Sequence, residues 1–326
     1  MERSFAARLT EWYDVAKRDL PWRQTRDPYK ILVSEIMLQQ TRAQTVIPYY
    51  EKFLERFPTA RSLAQASDTE LLRMWSGLGY YQRARNLRNA ARRIVNGGGF
   101  PRDYDAIRHL PGVGTYTAAA VASIAFGIDR AALDGNVMRV IARITGDASD
   151  IGAATTKARF EAIAGTLLDR RDPGRFNQAI MELGATVCLP RNPLCLLCPV
   201  SAGCVAREQG IQWQLPVKLR RTAAVRIKAR LLVIERAGKI LLWKRDGDSP
   251  RLKGFWELPS PEELPKATER EALGSFRHSI TNHYYTFTVV KATLARAGSR
   301  FKWLDQSRLD SLPLSTTSRK ALALLK

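Results

Sequence analysis

Two carboxylates in this chain stand where a carboxylate needs a reason. Glu35 lies in Val33-Ser34-Glu35-Ile36-Met37-Leu38-Gln39-Gln40-Thr41. Its neighbours are largely apolar, and a glutamate in an apolar helix is costly unless it is protonated or paired. The plain alternative is the exposed face of an amphipathic helix. Asp134 lies in Leu133-Asp134-Gly135-Asn136-Val137, where Gly135 and Asn136 mark a turn. It reads as the N-cap of the helix that follows, and capping alone would account for it. Together the two residues offer a definite chemistry. A carboxylic acid with a raised pKa protonates a leaving base, while an ionised carboxylate faces an oxocarbenium-like sugar. Cleavage of an N-glycosidic bond needs that pairing.

Leu110-Pro111-Gly112-Val113-Gly114 is the second chemical signal. Pro111 stiffens a turn, and Gly112 and Gly114 permit backbone conformations that a Cβ would forbid. Without those side chains, backbone N–H groups can approach a phosphate closely. A helix starting at Thr115 would point its positive dipole end at the same anion. The segment around 104–127 therefore reads as a helix–hairpin–helix that positions a nucleic-acid backbone; an αα-hairpin without a ligand is the bland alternative.

All four cysteines, Cys188, Cys195, Cys198 and Cys204, fall in one short stretch. A disulfide framework would be scattered, so a metal centre is the better reading. Four thiolates suit zinc or an iron–sulfur cluster. Zinc ribbons pair two Cys-x-x-Cys knuckles and only one is present here, which favours a 4Fe–4S cluster. Arg191, Lys218, Arg220 and Arg221 lie nearby, so the loop is also a candidate DNA contact.

Charge agrees with a polyanionic partner. Lys and Arg number 52 against 31 Asp and Glu, a net +21, which points to nucleic acid, with anionic membrane as the rival. No apolar run approaches a spanning helix, and the opening Met-Glu-Arg-Ser-Phe-Ala lacks a secretory apolar region. The expectation is a cytoplasmic, nucleoid-associated protein of bacterial type, monomeric by default.

These residues need elements to carry them. Apolar periodicity predicts helices over 3–19, 29–40, 45–56, 67–75, 84–95, 104–109, 115–126, 136–144, 153–168 and 175–183. Pro and Gly signals separate them, such as Phe57-Pro58, Asn96-Gly97-Gly98-Gly99 and Asp172-Pro173-Gly174. Beyond Cys204 the character changes. Residues 211–226 are mixed, basic and interrupted by Pro216, and read as a linker. Strand-like alternation follows over 229–235, 239–244 and 284–293, with turns such as Asp246-Gly247-Asp248. At 326 residues the chain has room for two domains. The organisation expected is a mostly α catalytic domain over 1–210, a linker over 211–226 and an α+β domain over 227–326.

Leu110–Gly114, Asp134 and the four cysteines, in this order and at these distances, resemble the endonuclease-three-like superfamily of DNA glycosylases. Leu20-Pro21-Trp22-Arg23, Asp27-Pro28-Tyr29, Glu35–Thr41 and Gly77-Leu78-Gly79-Tyr80-Tyr81 narrow the resemblance to the MutY adenine DNA glycosylases. It is dense over residues 5–210 and looser beyond. It implies a monofunctional base-excision-repair enzyme that removes adenine mispaired with 8-oxoguanine or guanine from double-stranded DNA, with a 4Fe–4S cluster. By that resemblance Glu35 protonates adenine and helps to activate water, and Asp134 stabilises or bonds transiently with the anomeric carbon. Tyr116 and Asn136 support the sugar and Asp134. Trp22, Arg23, Leu38 and Gln178 line the adenine pocket, and Gln40, Thr41 and Tyr80 reach the duplex around the lesion. Core packing, for Trp22 and Leu38, and surface loops, for Gln40 and Tyr80, are the ordinary alternatives. The lyase branch of the superfamily carries a Lys where Tyr116 stands. No amine is available here for a Schiff base, so water must finish the reaction and the strand stays uncut.

Leu241-Leu242-Trp243-Lys244-Arg245 and Gly254-Phe255-Trp256-Glu257-Leu258-Pro259 resemble a Nudix (MutT-like) fold, which in MutY proteins reads the oxidised guanine. Glu269 and Glu271 stand near the place of the Nudix glutamate helix, but the full box is missing, so no pyrophosphohydrolase activity is expected. The family's Phe-Ser-His reading loop is replaced by Ile280-Thr281-Asn282, in which hydrogen-bonding capacity remains and aromatic stacking does not. Two other functions fit parts of the pattern: a thymine or uracil mismatch glycosylase of the same superfamily, and a non-catalytic iron–sulfur DNA-binding protein.

Overall fold

Caps and apolar stripes set the helices. The computed structural model describes residues 4–219, 223–245, 252–280 and 282–325. Arg220, Arg221, the Asp246-Gly247-Asp248 turn and Thr281 lie outside the described residues. Ser4 caps α1 (Phe5–Ala16) by accepting from the Ala7 N–H. Asp27 caps α2 (Pro28–Leu38) through the Tyr29 and Lys30 N–H groups, with Pro28 in the first turn, where its missing N–H costs nothing. Then come α3 (Ala43–Arg56), α4 (Ala60–Ala64), α5 (Asp68–Trp75), α6 (Gln82–Asn96), α7 (Tyr104–Arg108) and α8 (Thr115–Phe126). They are followed by α9 (Gly135–Thr145), α10 (Ala154–Leu167), α11 (Pro173–Thr186) and α12 (Val205–Glu208). Each helix expected from periodicity is present; the short α4 and α12 carry too little pattern to be seen in sequence. None of the described helices is long and apolar enough to cross a membrane.

The chain divides into two compact units. One comprises Met1–Leu54, Thr59–Arg61 and Asn89–Arg221; the other comprises Glu55–Pro58, Ser62–Arg88 and Thr222–Lys326. The stretch carrying α5 and the start of α6 groups with the C-terminal segment: the Tyr81 ring lies 4.0 Å from that of Phe255, and Ser76 Oγ donates to Leu314 O. An amphipathic stripe announces a buried face but not the surface that covers it.

In the first unit, α8 is buried from Thr117 to Ser123. Its alanines let neighbours come close. A Cβ on Gly174 would sit 2.7 Å from Ser123 O, so α11 crosses α8 at a point that only glycine allows. Leu9, Ile141, Phe160, Phe176 and Ile180 form a core joining α1, α9, α10 and α11. Asn177, buried in α11, accepts from the Ala132 N–H and donates to Arg130 O and Ser123 Oγ. That tether holds the segment leading into α9.

The second unit holds β1 (Val225–Arg236), β2 (Lys239–Lys244), β3 (Trp256–Glu257), β4 (Thr268–Ile280), β5 (His283–Thr293), β6 (Phe301–Asp305) and α13 (Thr316–Leu322). The strands form a mixed sheet in the order β3-β2-β1-β5-β4, with β6 also on β2; β1 and β5 run parallel. Leu231, Val233 and Val289 pack under Leu314 and Ala321, whereas Leu232, Ile234 and Val290 face Leu264 and Phe301 on the other side. The α+β character is as expected, but two details differ. β1 begins at Val225, inside the expected linker. Glu269 and Glu271 lie on strand β4, with a register shift between them, rather than on a helix. The local Glu-Arg-Glu-Ala-Leu composition favours helix, but β4 pairs with β5 along almost its whole length, and tertiary pairing overrides so weak a preference.

Candidate active site

A cavity of about 990 Å³ opens in the first unit between α2, α8, α11 and the start of α9, and both singled-out carboxylates line it. Such a volume suits a small-molecule or nucleotide site. Glu35 comes from α2, Tyr116 from α8, Asp134 and Asn136 from the α9 N-terminus, and Gln178, Met181 and Glu182 from α11.

Glu35 is fully enclosed. Burial pushes its carboxyl up to about 7, and the nearby Asp134 adds to the rise against the opposing effect of the Tyr116 hydrogen bond. The Tyr116 hydroxyl donates to Glu35 Oε2 at 2.7 Å, and the thioether of Met181 stands 3.3 Å from the same hydroxyl. Burial and the carboxylates hold the Tyr116 phenol well above its ordinary value, so it stays a donor. No cation pairs with Glu35 among the described residues, so this acid keeps its proton near neutral pH.

Asp134 caps α9 as the sequence implies: Oδ1 accepts from the Val137 N–H at 2.7 Å. Its other oxygen, Oδ2, accepts from Asn136 Nδ2 at 3.0 Å. Burial raises this carboxyl too, but the Val137 and Asn136 donors and the charge of Arg139 oppose the rise. Arg139 Nη2 donates to Asn136 Oδ1 and Gly184 O, and its Nε donates to Cys188 O. The capping and catalytic readings of Asp134 are thus compatible: one oxygen caps the helix while the carboxylate lines the cavity.

Trp22, Arg23, Leu38 and Gln178 all line the same cavity. Trp22 packs edge-on against Tyr50 at 5.5 Å. Gln178 Oε1 accepts from Tyr13 Oη at 3.2 Å. Arg23 is committed: Nη2 donates to Glu182 Oε2 at 2.6 Å and Nη1 to Arg18 O at 2.9 Å. Glu182, missed in the sequence, is buried and also takes Arg18 Nε and Nη2 at 2.8 and 2.7 Å. Burial pushes its carboxyl up, but the two arginines outweigh that and leave it at about 2. The signal was present: Ile180-Met181-Glu182-Leu183 places a glutamate on an apolar helix, the same anomaly that marks Glu35.

Gln40 and Thr41 lie at the cavity wall, and Gln40 is exposed with φ at 58°. Tyr80, in the other unit, is 42% exposed with φ at 47°, and the Arg83 guanidinium lies over its ring. A left-handed backbone is strained for both residue types, and such strain clusters at functional sites. Gly112 takes φ of 79°, Val113 is buried, and Gly114 leads into α8 without any side-chain cap. The first N–H groups of α8 are therefore not capped by the residue before them. Ile280 ends β4 opposite His283, with Asn282 in the turn between; Asn282 Nδ2 donates to Ala223 O. Of the expected reading loop, Ile280 and Asn282 lie where β4 leads into β5, and Thr281 falls outside the described residues.

All four cysteines line a second cavity, below α9. Arg143 Nη1 lies 3.3 Å from Cys188 Sγ and donates to Leu189 O. Among the described residues no three His, Cys, Asp or Glu side chains converge tightly enough for a single metal ion.

Residues 33–164 match the HhH-GPD superfamily base excision DNA repair protein family. The human adenine DNA glycosylase is 46% identical, covering 97% of this chain and 73% of that protein. The Arabidopsis thaliana adenine DNA glycosylase is 38% identical over 82% of the chain and 49% of its own length. Among solved structures, a thermostable thymine-DNA glycosylase superposes with a TM-score of 0.56 at 34% identity, covering 63% of this chain and 95% of that one. An endonuclease III–DNA covalent intermediate, at 23% identity and TM-score 0.54, shares the fold. With the human relative matched over nearly the whole chain, and the cavity carboxylates inside the matched segment, the chain belongs to the adenine DNA glycosylase family of HhH-GPD proteins.

Proposed function

We propose that the cavity receives an adenine extruded from duplex DNA opposite 8-oxoguanine or guanine and excises it by hydrolysis. One observation carries the reading: two buried carboxyls share a cavity, one without a cation at about 7 and the other held by an N–H, an amide and a nearby guanidinium. Glu35 gives its proton to a ring nitrogen of the base. The C1′–N bond breaks and its electron pair leaves with the base. Asp134 faces the positive sugar that results. Water then adds to C1′, and its proton returns to Glu35. The products are free adenine, an abasic site and an intact strand. Among the described residues no lysine lines the cavity, which supports a monofunctional reaction without a Schiff base.

Trp22, Leu38 and Gln178 hold the base, while Glu182 with Arg18 and Arg23 offers it a charged polar edge. Gly112, Val113 and Gly114, with the α8 N-terminus, grip a phosphate. Gln40, Thr41 and Tyr80 enter the duplex beside the lesion, and the backbone strain at Gln40 and Tyr80 supports that role. Ile280, Thr281 and Asn282, in a Nudix-like C-terminal domain, read the oxidised guanine. The four cysteines hold a 4Fe–4S cluster. They line one cavity, their chemistry as four close-set thiols suits such a cluster, and Arg143 sits against one sulfur. The cluster would brace the loop that receives Arg139.

The test is a duplex labelled on the adenine strand opposite 8-oxoguanine, incubated with the protein and then treated with hot alkali. Cleavage at adenine only after alkali supports this function. Cleavage at thymine or uracil in a mismatch would make the chain a sister glycosylase, and binding without cleavage would make it a non-catalytic DNA-binding protein.

A further inference from the structure

The C-terminal sheet has a face that the excision reaction does not use. β1, β5 and β4 lie side by side, and the first half of β1 runs beyond the two apolar clusters. Along this part alternate residues point to opposite faces. Ile227, Ala229, Tyr285, Phe287 and Phe276 share the half-buried face.

The register sets three rows across the opposite face. Arg226 pairs with Tyr284 and that with Ser279; Lys228 with Thr286 and that with Arg277; Arg230 with Thr288 and that with Ser275. All of these except Thr288 are exposed, and Tyr284 is 52% exposed. The two outer rows each join one cation to two hydroxyls, and the middle row sets Lys228 and Arg277 on either side of Thr286. Arg230 is neutralised by Glu269, but no ion pair engages Arg226, Lys228 or Arg277 among the described residues. Three strands thus present three free cations and a field of hydroxyls. Same-face residues along a strand repeat at about 6.7 Å, and strands are spaced by about 4.8 Å.

We infer that this face binds the sugar–phosphate backbone of duplex DNA. Arg, Lys, Ser, Thr and Tyr are the side chains that contact phosphate oxygens in protein–DNA interfaces. Nothing on the face reads a base, so its contribution is independent of sequence. It flanks Ile280 and Asn282, assigned above to the lesion, and backbone contacts here would fix their register on the duplex. The inference rests on the reading of DNA as substrate, and its test does not depend on excision.

Duplex affinity of the full-length, cluster-loaded protein would be measured by anisotropy over a salt series, using undamaged DNA. Arg226→Gln, Lys228→Gln and Arg277→Gln are combined in one variant, with Arg236→Gln, Lys239→Gln and Arg308→Gln as a charge-matched control. Each released phosphate contact lowers the slope of log Kd on log salt by about 0.9. The first variant should therefore lose roughly 2 to 3 from the slope and bind at least about tenfold more weakly near 0.1 M salt. The control should move much less. Equal slopes in the two variants would overturn the inference. So would a loss confined to phosphatidylserine vesicles, which would mark a membrane surface, or to a poly-glutamate peptide, which would mark an acidic protein partner. If the wild-type protein excises nothing, the functional reading falls while the salt slopes still decide this one.

Discussion

Two buried glutamates line one cavity and meet opposite fates. Glu35, on α2, accepts from a phenol and sits at about 7. Glu182, on α11, has two arginines and sits at about 2. Burial raises both; only the partners differ. Desolvation therefore makes an acid only where no cation is allowed in. The protein keeps a proton donor and a fixed anion in one cavity by placing Arg18 and Arg23 at one wall and not at the other.

The strongest way to break this comparison is Glu35→Gln. It removes the proton donor and keeps the shape, and loss of a general acid costs about 10²- to 10⁴-fold. Single-turnover excision should fall by that factor while lesion-duplex affinity holds; an active variant would end the acid assignment. Asp134→Asn should be similarly crippled if Asp134 faces the sugar as proposed.

Stability gives the second test, and the two sites should respond with opposite signs. A raised folded pKa contributes stability below about 4.5 that is lost as pH rises through about 7. An ionised Glu35 thus destabilises the fold at pH 8, and Glu35→Gln should relieve up to about 3 kcal/mol there. A depressed pKa acts the other way: the Glu182 contribution is present above about 4.5 and is lost as pH falls through about 2. Glu182→Gln leaves two guanidiniums facing a neutral amide and should cost about 3 kcal/mol at pH 7. Thermal melts of both variants at pH 6 and pH 8 check this. Equal and parallel losses would show that the partners do not set the difference.

A third measurement is the pH profile of the chemical step. With Glu35 protonated below about 7, the rate should decline about tenfold per unit above that value. A flat profile to pH 9 would place the proton elsewhere.

The smallest effect concerns placement. A Cβ on Gly184 would stand 2.7 Å from Asn136 Cβ. Gly184→Ala should push Asn136 away from Asp134 and slow excision by about tenfold, roughly 1.4 kcal/mol, without loss of duplex binding. Unchanged turnover would show that Asn136 does not need that fit. Apart from this series, iron analysis should return about four irons per chain, and one zinc would overturn the cluster reading.

Much of this was legible beforehand because it is local. The Asp134 cap, the glycines of the hairpin and the close-set cysteines depend on a few consecutive residues, and these need only the chain itself. Helix periodicity likewise survives any packing. Strand β4 was not legible, because a helix-favouring run becomes a strand only when β5 lies beside it.

The sequence by itself determined which residues had chemistry to offer: an acid in an apolar helix, an aspartate at a cap, no amine at position 116, four close-set thiols and a surplus of cations. Only the tertiary structure decided which of them act together. Glu35 and Asp134 are 99 residues apart and Arg23 and Glu182 are 159 apart, and no local rule says which glutamate will find an arginine. Burial and partner are properties of packed neighbours, and with them come the proton, the charge and the site.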